Sequence, residues 1–313
     1  MSQTQTFYLS SFRPSSTTRI YSLTNLVFIF INDLLTCTRF LDSHAYADDT
    51  IFYTSDLSID SLTRKTQQDI NTISDWCQLH GMKINTDKSH FLITKATNTQ
   101  INLTIDNTPL AQTNKTTLLG FTINQTLTWT DHLDKLISKV AKNCRLLLAT
   151  RHLMSQTTAI RFYNHFIHSH LIYGIEIYYP LTPCSKLKSL HTLQKKALKY
   201  ALRVPRRTST KRVTEDTQVL PLPQLAIYSG CILAFKIHRK LCPPYLSNIF
   251  KPTTVKVSMT TRDLNRIPSS HDRSPLDHFT MSSFNSLPQN LRAQKSLLTF
   301  KRKLKSHPIK TTS

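Results

Sequence analysis

The spacing of apolar residues changes near residue 129, and that change limits the chain to a mixed fold. Upstream, short β-prone runs alternate with turns. His44-Ala45-Tyr46-Ala47-Asp48-Asp49-Thr50-Ile51-Phe52-Tyr53 reads as a β-hairpin with two aspartates at its tip. Residues 82–85 and 90–94 read as strands around the turn Thr86-Asp87-Lys88-Ser89, and a further hairpin is expected to join 101–105 to 117–123. One helix is expected here, over residues 61–80. It has Leu62, Ile70, Ile73, Trp76 and Cys77 on one face, Asp60 or Ser61 as its cap, and Gly81 at its end. The apolar run at residues 26–31 suits a strand or a helix equally, because a short run carries no decisive period.

Downstream, the period becomes that of a helix. Leu133, Leu136, Val140, Cys144 and Leu147 form one stripe. Others run over residues 159–171, before Gly174, and 187–202, before Pro205. A fourth helix is expected at 225–241, stopped by Pro243-Pro244, and a short one at 296–304. The class is therefore α+β. Residues 1–22 show no period and are expected to be disordered. Residues 23–128 form the strand-bearing part and 129–250 the helical part. Residues 251–313 form a polar linker and C-terminal segment.

Composition narrows the function. The 313 residues include only 4 glycines, against roughly 22 at average usage, which argues against glycine-rich phosphate loops. The net charge is +22, a balance that suits a polyanionic partner. Its distribution is uneven. Residues 1–60 carry Arg13, Arg19 and Arg39 against six aspartates, whereas residues 134–213 carry sixteen Lys or Arg against Asp134 and Glu176. The densest run is Lys195, Lys196, Lys199, Arg203, Arg206, Arg207, Lys211 and Arg212. It reads as a phosphate-contacting surface, with a merely solvated face as the alternative. The six cysteines show no CxxC spacing and read as free thiols of a reducing compartment. No apolar run approaches the roughly 20 residues of a membrane span, and the N-terminus lacks a signal-peptide core. The expectation is an intracellular chain, nuclear or cytoplasmic.

The chemistry centres on Asp48 and Asp49. Adjacent carboxylates repel each other, and a hard divalent cation relieves that repulsion while keeping substrate phosphates in its own shell. Two such ions about 3.5–4 Å apart support in-line nucleotidyl transfer. An acidic turn alone is commonplace, so order and spacing decide. Tyr46-Ala47-Asp48-Asp49 resembles the YxDD box of reverse transcriptases, in the form found in non-LTR (LINE-type, jockey-like) retrotransposons. Ile31-Asn32-Asp33-Leu34 upstream resembles the "INDL" tail that follows the family's motif B. Trp76, with Met82 to Ser89, resembles motif D. Leu118-Leu119-Gly120-Phe121 with Leu127-Thr128-Trp129 and His132 resembles the primer-grip motif E. Leu171-Ile172-Tyr173-Gly174, Pro243-Pro244-Tyr245-Leu246 and Phe284-Asn285-Ser286-Leu287-Pro288 resemble thumb and C-terminal signatures. The matches run in family order over nearly the whole chain.

The resemblance implies a partial palm at 23–128, a helical thumb at 129–250, and RNA-directed DNA synthesis using two magnesium ions, deoxynucleotide triphosphates, an RNA template and a DNA primer. By resemblance, Asp48 and Asp49 are metal ligands, Lys88 is the proton donor to the leaving pyrophosphate, and Gly120 lies against the primer backbone. Trp76 and Trp129 are expected to pack in the core. The motif A aspartate and the fingers find no counterpart in residues 1–22, so the chain is expected to be truncated and inactive alone. The alternative is a non-enzymatic, basic nucleic-acid-binding remnant in which the acidic pair is a relic. A third expectation is that a palm lacking its first strands aggregates through open sheet edges.

Overall fold

The structure is a computed structural model that describes residues 5–10, 32–46, 49–94, 99–249 and 275–307. The apolar run at 26–31 lies outside the described residues. Two compact units divide the chain, Met1–His132 and Leu133–Ser313. Helix and sheet are both present, as the α+β reading requires.

The first unit is built on a five-stranded sheet. Its strands are β1 (Gln5–Ser10), β2 (Asp42–Tyr46), β3 (Asp49–Asp56), β4 (His90–Thr94) and β7 (Ala111–Gln112), in the order β2-β3-β1-β4-β7. β1 lies antiparallel to both β3 and β4. β3 and β4 therefore run in one direction with β1 between them, and the helix α1 (Ile59–Leu79) joins them, giving a split β-α-β unit. β1 places residues 5–10 in the sheet, where no strand was expected; the rest of 1–22 lies outside the described residues. β1 is a short run held by pairing with two distant strands, so no local period announces it. β4 carries a continuous buried run instead of an alternation, since Phe91, Leu92, Ile93 and Thr94 are all buried. β2, at the edge, is polar and mostly exposed, which suits an unpaired flank.

α1 buries Leu62, Ile70, Ile73 and Cys77 against Phe52, Phe91 and Ile93 of the sheet. Each such side chain contributes about 1.5–3 kcal/mol relative to exposure. The helix starts earlier than expected, because the Ser58 hydroxyl accepts the N–H of Ser61. Its end is as expected, with Gly81 at φ +66°, a left-handed conformation that glycine adopts without strain.

Two further expectations fail in this unit. Residues 82–85 are irregular, with Ile84 buried, because the chain turns there to enter β4. Residues 101–105 and 117–123 do not pair with each other. Instead β5 (Thr104–Ile105) pairs with β6 (Thr108–Pro109), and β8 (Lys115–Leu118) pairs with β9 (Phe121–Asn124). Two tight turns account for this. Asp106 and Asn107 sit at φ 49° and 63°, and Leu119 and Gly120 at φ 46° and 82°, so each closes a local two-residue hairpin.

The second unit is helical. α2 (Thr130–Thr150), α3 (Gln156–Tyr163), α4 (Cys184–Leu202), α5 (Thr210–Thr217) and α6 (Leu222–His238) are followed by α7 (Pro275–Asn285) and α8 (Leu297–Ser306). The stripe expected as one helix over 159–171 is interrupted. A π-helical turn at Asn164–His168 separates α3 from the short helix Ser169–Ile172. Within the segment expected as polar linker from residue 251, α7 forms and packs on α6. Phe235, Met281, Phe284 and Phe300 form that core, with the Phe235 and Phe300 rings stacked at 4.3 Å. Among the described residues no single helix is long and apolar enough to cross a membrane.

Candidate functional site

The hairpin with the acidic tip forms as its sequence demands, since Tyr46 and Asp49 pair across β2 and β3. Asp48 and Ala47, which connect that pair, lie outside the described residues. Asp49 is half-buried as the first residue of β3. The sheet register shows what shares that end. Leu9 lies opposite Phe52, and Ser10 lies opposite His90, so the C-terminal end of β1 and the start of β4 both reach the acidic end. Lys88 sits just ahead of β4, exposed, on a turn held by the Asn85 carbonyl, which accepts the N–H of Lys88 at 3.2 Å and of Ser89 at 3.1 Å. β3, which starts at Asp49, and β4, which Lys88 precedes, are separated by β1, so the two strands lie roughly 10 Å apart at this end of the sheet.

β1 reads Gln-Thr-Phe-Tyr-Leu-Ser and carries no carboxylate. Among the described residues no three His, Cys, Asp or Glu side chains gather as a metal-holding group. Among the described residues, Asp49 gains no second carboxylate from β1, the strand beside β3, and two ions need more donors than that.

Gly120 occupies the β8–β9 turn. That hairpin is tied to β4 by a 2.7 Å hydrogen bond between His90 Nε2 and Thr116 Oγ1. Trp129 is half-buried and meets Phe121 edge-on, with centroids 6.0 Å apart. Trp76 is half-buried and stacks on His80 at 4.0 Å.

The basic run of residues 195–212 lies in the second unit, and its members do different things there. Lys195, Lys196 and Lys199 project from α4. The helix ends at Arg203, left-handed at φ 57°, whose guanidinium donates to the Arg151 carbonyl at 2.7 Å and to that of Met154. Arg203 therefore braces the loop after α2. Arg206 and Arg207 are exposed on the turn that follows, and the Lys199 ammonium donates to the Arg206 carbonyl at 2.7 Å. Lys211 and Arg212 stand on α5, where Arg212 faces Asp216 at 3.9 Å. Burial and neighbouring Lys195 lower the His191 pKa to about 4, so this histidine adds no charge at neutral pH.

No protein-family model, curated protein or solved structure matches the chain. Its chemistry has to be read from the residues themselves.

Sequence reasoning overlooked two features of these surfaces. Tyr200 lies among the lysines of α4 and meets the Arg151 guanidinium 5.7 Å from its ring centre. Its signal was an aromatic residue next to Lys199 at the polar margin of the stripe. Asp69 is a buried carboxylate on the apolar face of α1, and its signal was that misfit.

Proposed function

We propose that this chain is a partial RNA-directed DNA polymerase of the non-LTR retrotransposon type, inactive as a polymerase and able to bind nucleic acid. What supports the reading is the sheet register, which sets the acidic hairpin end, the end of β1 and Lys88 together, on motifs that run in the family's order. Inactivity follows from β1, the strand beside the hairpin, which brings no carboxylate. Magnesium, which would polarise phosphate oxygens, has too few donors here for two ions, so no catalytic step is derived through it. What remains is a cluster of cations suited to sequence-independent phosphate contact with template or primer.

Primer extension on an RNA template with magnesium and all four deoxynucleotide triphosphates tests this. The expected result is no incorporation, while binding to the RNA–DNA primer-template persists. Extension that Asp48→Ala abolishes overturns the inactivity.

A second reading, a nucleic-acid-binding protein in which the acidic pair has no role, is favoured by the confinement of the basic run to one unit. The two separate on the acidic pair. In the polymerase-type reading, Asp48→Ala or Asp49→Lys changes primer-template binding. In the second, both variants bind as the parent does, and only neutralising the basic residues of 195–212 matters.

A further inference from the structure

Resting on the nucleic-acid reading above, we infer that α4 and the turn after it form a pocket for one unstacked nucleotide of a single strand. The cavity is about 260 Å³ and is lined by Thr192, Lys195, Lys196, Lys199, Tyr200 and Arg206. Pockets for drug-sized ligands run from about 300 to 1,000 Å³, so this one holds a single base and not a run of bases. Four of its six lining residues are cationic, and none of these four pairs with a carboxylate among the described residues. The bound group is therefore an anion.

The lining also selects which anion. Lys195, Lys199 and Tyr200 are half-buried, so their aliphatic stems and the tyrosine ring form much of the wall; the Lys199 ammonium is held by the Arg206 carbonyl at 2.7 Å, which leaves the charged ends of Lys195, Lys196 and Arg206 for phosphate at its margin. A free phosphate uses only the margin. A nucleotide uses both, laying its planar base on Tyr200 and the lysine stems while its phosphates meet the ammonium groups. An acidic peptide satisfies the charges but leaves the ring without a flat partner. A duplex keeps its bases stacked and presents phosphates alone, so it does not enter. The Arg151 guanidinium, 5.7 Å from the centre of the Tyr200 ring, adds a fifth positive charge beside the same aromatic group.

The pocket predicts a preference that phosphate contact alone does not give. The probes are a fluorescein-labelled oligothymidylate, an abasic backbone of equal length, and a duplex, each titrated into the full chain by anisotropy. Tyr200→Ala should weaken oligothymidylate binding about tenfold, equivalent to about 1.4 kcal/mol, and leave abasic and duplex binding unchanged. Tyr200→Phe should bind like the parent. Thr192→Trp, at an exposed helix position, fills the cavity and should reproduce the loss; it decides the matter if Tyr200→Ala fails to fold. Equal affinity of the parent for oligothymidylate and abasic backbone overturns the pocket while nucleic-acid binding stands. Failure of all three probes to bind at low salt overturns both.

Discussion

The Asp69 carboxylate on α1 accepts the backbone N–H of Leu41 at 2.8 Å from inside the core of the first unit. The same oxygen accepts from Phe40 at 2.6 Å, and both oxygens accept from Arg39 at 3.1 Å. Three successive amides thus converge on one buried carboxylate, which fixes the chain just before β2 and so sets the acidic hairpin on the sheet. Asp69→Ala leaves those donors without an acceptor and should cost about 3 kcal/mol. Asp69→Asn keeps one accepting oxygen and should cost less. Urea unfolding of both variants measures this, and a loss below about 1 kcal/mol for Asp69→Ala contradicts the assignment.

A second carboxylate joins β3 to α1. Asp56 accepts from Lys65 Nζ at 2.7 Å, from Ser61 Oγ at 2.8 Å and from the Leu57 amide at 2.7 Å. The Lys65 bond, then the Ser61 bond, hold its pKa well below the ordinary 3.8. A depressed carboxylate stabilises the fold above its ordinary value, and that contribution fades as pH falls from about 3.8 toward the folded value. Asp56→Asn should flatten the decline of stability below about pH 4 and leave its slope above pH 5 unchanged. Thermal unfolding from pH 6 to pH 2 shows this directly, and an identical acid limb in the variant rules it out.

The legible and illegible parts of the chain divide by the range of the interactions that make them. α1, α2 and α4 were readable because a stripe such as Leu62, Ile70, Ile73 and Cys77 repeats within one helix. The hairpin β2–β3 was readable for the same reason, since its turn and both arms are contiguous. β1 was not, because its place between β3 and β4 depends on residues some forty to ninety positions away. The misjudged hairpin failed on a local detail, the left-handed pairs Asp106-Asn107 and Leu119-Gly120, which close two short turns where one long pairing was expected. The basic residues were visible as a run, but not which of them brace the fold, because a carbonyl partner leaves no mark in sequence.

Gln194 shows how such a partner works in the second unit. Buried on α4, its amide donates to the Leu220 carbonyl at 3.0 Å while its oxygen accepts the Leu222 N–H at 2.7 Å. The side chain thereby fixes the approach to α6 like a rung of a ladder. Gln194→Leu fills the same space but orphans both backbone groups, and should destabilise by about 2–3 kcal/mol. Tyr163→Phe removes only a 3.4 Å contact to the same amide and should cost about 1 kcal/mol or less. Chemical denaturation ranks the two, and a larger effect for Tyr163→Phe refutes the clamp.

Arg203 and Lys196 belong to the same basic run and have opposite expected phenotypes. The Arg203 guanidinium is committed to the carbonyls of Arg151 and Met154, whereas Lys196 is exposed and lines the cavity beside Tyr200. A cation that meets phosphate releases a counterion, so its removal lowers the slope of log affinity against log salt by about 0.9 for duplex and about 0.7 for a single strand. Lys196→Ala should therefore lower the single-strand slope by about 0.7 with little change in unfolding temperature. Arg203→Ala should leave the slope nearly intact and lower the unfolding temperature, since two carbonyls lose their donor. Anisotropy titrations at several salt concentrations, run beside thermal melts of both variants, separate these roles. A drop in slope for Arg203→Ala equal to that for Lys196→Ala means the guanidinium leaves its carbonyls to bind phosphate, and the brace is then not a fixed part of the fold.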